Sequence, residues 1–89
     1  MKSTFEISLY PLTEDYSGVI LQFIHDLKKH DSIQIYSTAM STYITGDFEN
    51  VMNILSSELK KVYEIIPDSS TVVKIIPKPL NVEAGYLNL

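Results

Sequence analysis

Two hydrophobic periods alternate along this chain, and their order leaves few folds open. Apolar residues at every second position mark a strand with one buried face; recurrence at every third and fourth marks a helix. Phe5, Ile7 and Leu9 follow the first pattern with Glu6, Ser8 and Tyr10 between them, and Pro11, which has no amide proton, stops the ladder. Val19, Ile20, Phe23, Ile24 and Leu27 follow the second, predicting a helix from Tyr16 to about Lys29. Thr13, Glu14 and Asp15 supply its cap and acidic start, and Lys28 and Lys29 suit the negative end of its dipole. Gly18 weakens the first turn slightly.

The strand period returns from Ile33 to Thr38, with Ile33 and Ile35 inward and Gln34, Tyr36 and Thr38 outward. A reversal at Ala39-Met40-Ser41 leads to a third strand over Thr42 to Thr45, ended by Gly46. Asp47 then caps a second helix, whose stripe is Phe48, Val51, Met52, Leu55, Leu59 and Val62 and whose last turn carries Lys60 and Lys61. Pro67-Asp68-Ser69-Ser70 reads as a turn, and Thr71 to Ile76 as a fourth strand before Pro77. The order strand, helix, strand, strand, helix, strand predicts an α+β, ferredoxin-like βαββαβ sandwich: a four-stranded antiparallel sheet with two helices on one face. It is expected to occupy residues 1–89 as a single domain, with the core at about 3–77. In the tail 78–89, Leu80, Val82, Tyr86 and Leu87 either pair with a neighbour's sheet edge or fray.

Composition narrows the function. A chain of 89 residues with 45% hydrophobic content has enough for one core and not two. The absence of cysteine excludes disulfides, thiol catalysis and thiolate-bound metals. All seven basic residues are lysines, so no guanidinium fork is present for phosphate or guanine, and nucleic acid is not the expected partner. The net charge of −4 favours a cationic ligand over an anionic one. No apolar run reaches the roughly 18 residues of a membrane span. MKSTFEISLY lacks the apolar block of a secretory signal, so the expected compartment is the cytoplasm. His25 and His30, five apart, do not align on a helix, and no metal or cofactor is expected. Ser41 and Thr42 have no histidine placed beside them, so no enzyme activity is expected either.

With the helices taking Phe5, Ile7, Leu9, Ile33 and Ile35, the other sheet face is left bare. Alternation assigns to it Glu6, Ser8, Tyr10, Gln34, Tyr36, Thr38, Tyr43 and Thr45, together with Val72, Lys74 and Ile76 or their neighbours. Tyrosines among hydroxyls suit polar recognition on a half-buried surface. Ordinary sheet-to-sheet dimerisation explains the same residues equally well, and both readings stay open here.

The segments EISLYPL, MSTYITGDFENV and VVKII, in that order and spacing over about residues 5–76, resemble the thiamine-binding protein family, the YkoF-like hydroxymethylpyrimidine/thiamine-binding superfamily. The matching block is Tyr10, Met40, Ser41, Thr42, Gly46 and Asp47. The resemblance implies a ferredoxin-like domain that pairs through its sheets as a homodimer or homotetramer. It also implies binding of thiamine or its pyrimidine part without turnover, in salvage, transport or sensing. Relatives of this kind often carry an acid just before the Gly-Asp pair, where this chain has Thr45. Such a ligand would find a carboxylate in Glu6, aromatic faces in Tyr10, Tyr36 and Tyr43, and hydroxyls in Ser8, Thr38, Ser41 and Thr42. Met40 and Asp47 complete the expected site. The alternative is a regulatory or oligomerisation module of the amino-acid-sensing kind, which shares the topology. An acylphosphatase-type enzyme would want an arginine, and an RNA-binding sheet would want basic residues beside its aromatics.

Overall fold

β1 (Lys2–Pro11) runs through the middle of the sheet, so both of its edges are paired and its alternation sorts the whole molecule. The computed structural model describes residues 1–12 and 17–81. After β1 come α1 (Ser17–Lys28), β2 (Gln34–Ser37), β3 (Thr42–Asp47), α2 (Phe48–Ile65) and β4 (Ser69–Ile76). The sheet order is β2-β3-β1-β4, and all three pairings are antiparallel. This is the expected ferredoxin-like α+β fold. The expected helix cap at Thr13, Glu14 and Asp15, the helix start at Tyr16 and the tail residues Val82, Tyr86 and Leu87 lie outside the described residues.

Odd-numbered residues of β1 face the helices. Phe5 and Ile7 are fully buried there with Phe23 and Leu27 of α1, Ile33, Ile44 of β3, and Val51, Ile54, Leu55 and Val62 of α2. Phe5 meets Phe48 with ring centroids 5.9 Å apart at a tilted 33°. Leu9 and Ile35 are only partly buried against this core. The α2 stripe differs from the expected one by a slight rotation: Ile54 is inside, while Met52 is 42% exposed. Glu58 is also inside, 5% exposed, and accepts from Lys61 Nζ at 3.0 Å with His30 Nε2 at 3.7 Å. A carboxylate with a lysine one turn later tolerates burial because its charge stays partnered.

Several boundaries are longer than periodicity suggested, for a common reason. β3 continues through Gly46 and Asp47, because these two pair with Ser3 and Lys2 of β1. β4 begins at Ser69 rather than Thr71, because Ser69 and Ser70 pair with Pro11 and Tyr10. Polar residues were drawn into the ladder by a partner strand, which overrides their weak strand propensity. α2 likewise runs a turn past Lys60 and Lys61, leaving no basic residue in its last turn, and its end is closed by the Ile66 amide bonding to Val62 O at 2.7 Å.

Gly46 shows why a side chain is missing at that point. It is buried opposite Ser3, whose hydroxyl donates to Gly46 O at 3.2 Å. A Cβ there would sit 3.0 Å from Cγ2 of Ile33 and 3.0 Å from Cγ2 of Val51. The glycine therefore lets α2 begin flush against the sheet, so its role is close packing. Gly46→Ala is expected to destabilise the fold by about 1–3 kcal/mol through this overpacking. Urea unfolding will measure it, and a midpoint unchanged from wild type would show that the helix yields freely.

Candidate ligand-binding face

Even-numbered residues of β1 face away from the helices, and the pairing register lines them up with their neighbours in rows. One row crosses all four strands: Tyr36 opposite Tyr43, Tyr43 opposite Glu6, Glu6 opposite Lys74. With strands about 4.8 Å apart, the row is about 14 Å across. The row on one side is Gln34, Thr45, Thr4 and Ile76; on the other side Ser8 lies opposite Val72, and beyond that Tyr10 opposite Ser70. The register also settles the fourth strand: Val72, Lys74 and Ile76 are on this face.

Glu6 is the electrostatic centre of the row. Its Oε2 accepts from Ser41 Oγ at 3.1 Å, and its Oε1 lies 3.5 Å from Lys74 Nζ. A hydrogen bond from Tyr43 does most to hold the Glu6 carboxyl below its ordinary value; partial burial opposes this, and Ser41 and Lys74 add to the lowering. The group is therefore an anionic, acceptor-only carboxylate at neutral pH, with its side chain 29% exposed. Tyr36, 37% exposed, ends the same row on the edge strand, beyond Tyr43.

Thr4 has the same outward parity yet is only 3% exposed, because the chain beyond β4 folds back over it. The Thr4 hydroxyl donates to Lys78 O and accepts from the Leu80 amide, both at 2.9 Å. Pro79, Leu80 and Asn81 thus form a wall on the open face. Between this wall and Gln34, Ile35, Tyr36 and Thr45 lies a groove of about 680 Å³, a size suited to a small organic ligand.

The expected site residues fall into three places. Glu6, Ser8, Tyr10, Tyr36 and Tyr43 share the open face, although Tyr10 sits at the far end from the groove. Thr38, Met40, Ser41 and Thr42 form the β2–β3 reversal, and they line a smaller cleft of about 180 Å³ on the helix side with Ile7, Leu9, Ile20, Phe23 and Ile24, and with Ser8 at its rim. Thr38 organises that reversal. Its hydroxyl accepts from the amides of Met40 and Ser41, and its own amide bonds to Ser41 O. Thr42 is turned toward the helices, 4% exposed, with its hydroxyl 3.4 Å from that of Ser37; it does not reach the open face. Ser41 joins the two places, because it lines the cleft and bonds to Glu6.

Asp47 is apart from both. It lies at the other end of β3, five residues or about 16 Å from Thr42. Its carboxylate takes the N-terminal ammonium of Met1 at 2.9 Å, which does most to lower its pKa. Asp47 occupies the position before α2 with extended backbone but makes no side-chain capping bond. Lys74, Gln34, Thr45 and the 79–81 wall were not among the expected site residues. Alternation already placed the first three on the face, whereas nothing in the spacing announced the fold-back onto Thr4.

The family model described as the YKOF-related family matches residues 2–73. Among solved structures, the chain is similar to a Streptococcus pneumoniae protein at 24% identity and a TM-score of 0.82, covering 96% of this chain and 97% of that one. It is equally similar in shape to a Thermotoga maritima protein proposed to act in thiamine biosynthesis/salvage, at 19% identity and a TM-score of 0.82, covering 94% and 95%. A Bacillus cereus domain of unknown function follows at 18% identity and a TM-score of 0.75, covering 99% and 92%. At these identities the structural likeness establishes the fold alone. No curated protein matches the chain in sequence. The match over residues 2–73 covers most of the chain and includes both the Glu6 strand and the Met40–Asp47 block: this chain belongs to the YkoF-related family.

Proposed function

We propose that this protein binds thiamine, or its hydroxymethylpyrimidine moiety, on the open sheet face and does not turn it over. The observation that carries this reading is the Glu6 carboxylate, kept anionic by Tyr43, Ser41 and Lys74 and set in one row with Tyr43 and Tyr36, the last of which lines a ligand-sized groove. An aminopyrimidine offers an exocyclic amine to such an acceptor, and its flat ring suits the faces of Tyr36 and Tyr43. The thiazolium cation suits an acidic chain and aromatic faces. Lys74 is 74% exposed at its side chain, so its bridge to Glu6 contributes little and yields readily to a ligand donor. Thr45, which stands where related sequences often carry an acid, lines the groove; the groove's described lining holds no carboxylate, so recognition of a ligand amine rests on Glu6 in the adjoining row.

Membership of the YkoF-related family and the salvage role proposed for the Thermotoga maritima neighbour support the same reading. It places the protein in thiamine salvage, transport or sensing, in the cytoplasm, self-associated through its sheets as a homodimer or homotetramer. Among the described residues no helix is long and apolar enough to cross a membrane.

Thiamine is expected to raise the melting temperature progressively, by the equivalent of about 2.7 kcal/mol at a hundredfold excess over Kd. Hydroxymethylpyrimidine should act similarly and free amino acids should not. A folded protein whose melting point ignores millimolar thiamine would sink the proposal, and a response to amino acids alone would favour a regulatory module.

Glu6→Gln is expected to weaken thiamine at least tenfold, about 1.4 kcal/mol, as read by calorimetry. Equal affinity would remove Glu6 from the site. The same variant tests the pH linkage. Because the folded-state pKa of Glu6 is lowered, its contribution is fully present above the ordinary carboxylate value of 4.5 and is lost as pH falls through the lower folded value. Urea unfolding of wild type should therefore lose more stability than Glu6→Gln on acidification below that value. Parallel losses would show that the carboxylate gains nothing on folding.

A further inference from the structure

We infer that the groove beside the 79–81 wall holds the uncharged, hydroxyl-bearing end of the ligand, and so separates a free alcohol from its phosphate ester. The inference rests on the ligand reading above and names the side chains that set its selectivity.

The groove is polar yet carries no charge. Gln34, Ile35 and Tyr36 of β2, Thr45 of β3 and the wall of Pro79, Leu80 and Asn81 line it, with no acid, lysine or histidine among them. Gln34 and Thr45 are directly opposed across their two strands, on the open face. The side chain of neither makes a hydrogen bond among the described residues. Asn81 brings a second carboxamide from the wall. Each carboxamide both donates and accepts, and so does the threonine hydroxyl. Such a set suits a ligand hydroxyl, which needs both a donor and an acceptor.

The lysines around this face lie outside that lining. Lys74 is engaged by Glu6 at 3.5 Å. Lys2 lies opposite Asp47 at the other end of β3. Lys78 meets Thr4 through its backbone carbonyl. A phosphate ester carries about −1.5 to −2 charges at pH 7. In the groove it would exchange water for neutral donors, with no guanidinium anywhere in the chain to answer it. The Glu6 carboxylate adds repulsion. Thr4, the ladder partner of Thr45, is two residues from Glu6, about 7 Å along β1. Salt screens part of that repulsion, so the uncompensated loss of hydration is the larger penalty.

The same spacing lets one molecule use both places. With its amine on Glu6, a thiamine-sized ligand extends one row further and delivers its other end to Gln34, Thr45 and Asn81. That end is the hydroxyethyl tail of the thiazolium, which hydroxymethylpyrimidine lacks.

Thr4 is the positioning residue. Its hydroxyl donates to Lys78 O and accepts from the Leu80 amide, both at 2.9 Å, and these bonds set the wall across from Gln34. Without them Asn81 is no longer presented to the groove.

Calorimetry on the full chain with thiamine, thiamine monophosphate and hydroxymethylpyrimidine tests the assignment. Thiamine is expected to bind tighter than its monophosphate by about tenfold or more. Gln34→Lys, which adds an ammonium group on the exposed edge strand, should bring the two affinities within about threefold. Thr4→Val keeps the shape and removes the hydroxyl. It should weaken thiamine by about threefold or more and leave hydroxymethylpyrimidine within about twofold. Equal loss of both ligands would reduce Thr4 to a structural role and overturn its part. Wild type that binds the monophosphate as tightly as thiamine, or an unchanged ratio in Gln34→Lys, would overturn the groove assignment and leave the ligand reading standing. If Thr4→Val does not fold, the Gln34→Lys ratio decides. Failure of all three compounds to bind folded wild type would remove the ligand reading and the groove assignment together.

Discussion

The double pairing of β1 is the constraint from which the rest of the molecule follows. Because β3 and β4 both bond to it in register, Glu6 is opposite Tyr43 on one side and Lys74 on the other. A slip of one residue would turn Phe5 and Ile7 outward and drive Glu6 under the helices, leaving a charge without water or partner. Core and candidate site are thus two sides of one alternation. The burial of Phe5 and Ile7, worth about 1.5–3 kcal/mol for each side chain, is what keeps the carboxylate in its row.

Much of this was legible in the chain itself, wherever burial left a period. Phe5, Ile7 and Leu9 announced β1, and Val19 to Leu27 announced α1, because burial on one side of a regular element leaves a period behind. The open-face residues were legible for the same reason, as the complement of the core. Interactions between distant segments leave no period. Ser69 and Ser70 joined β4 because Tyr10 and Pro11 were there to pair with them, and Gly46 joined β3 because Ser3 was opposite. The wall over Thr4 rests on two hydrogen bonds spanning more than seventy residues of sequence. Glu58 was missed because an acid on a helix reads as solvated until its partners are placed.

The block that carries the family resemblance does not behave as one site. Met40 and Thr42 belong to the helix-side cleft, Asp47 is held by the chain's first residue at the other end of β3, and Ser41 and Tyr43 are the two that bond to Glu6. Adjacency along a strand is a poor guide to adjacency in space, since successive residues of β3 point to opposite faces. Part of the block is explained by architecture alone: Thr38 and Ser41 hold the reversal, and Gly46 admits α2. Ser41 is where architecture and the candidate site coincide, because the turn that presents it also places a donor on Glu6.

The choice of lysine at position 74 bears on how that carboxylate can serve a ligand. Glu6, set between Tyr43 and Lys74, needs donors, and Ser41 and Tyr43 supply them from positions that hold the carboxylate in place. A third donor that bound strongly would satisfy Glu6 and close it to anything else. An arginine would do so, since its planar fork matches a carboxylate with two parallel hydrogen bonds. A lysine on a long, mostly exposed stem makes one contact at 3.5 Å and surrenders little when it swings into water. The chain's exclusive use of lysine is therefore compatible with a recognition face in a second sense. It denies the sheet a phosphate-binding fork, and it leaves the central anion held in place yet available.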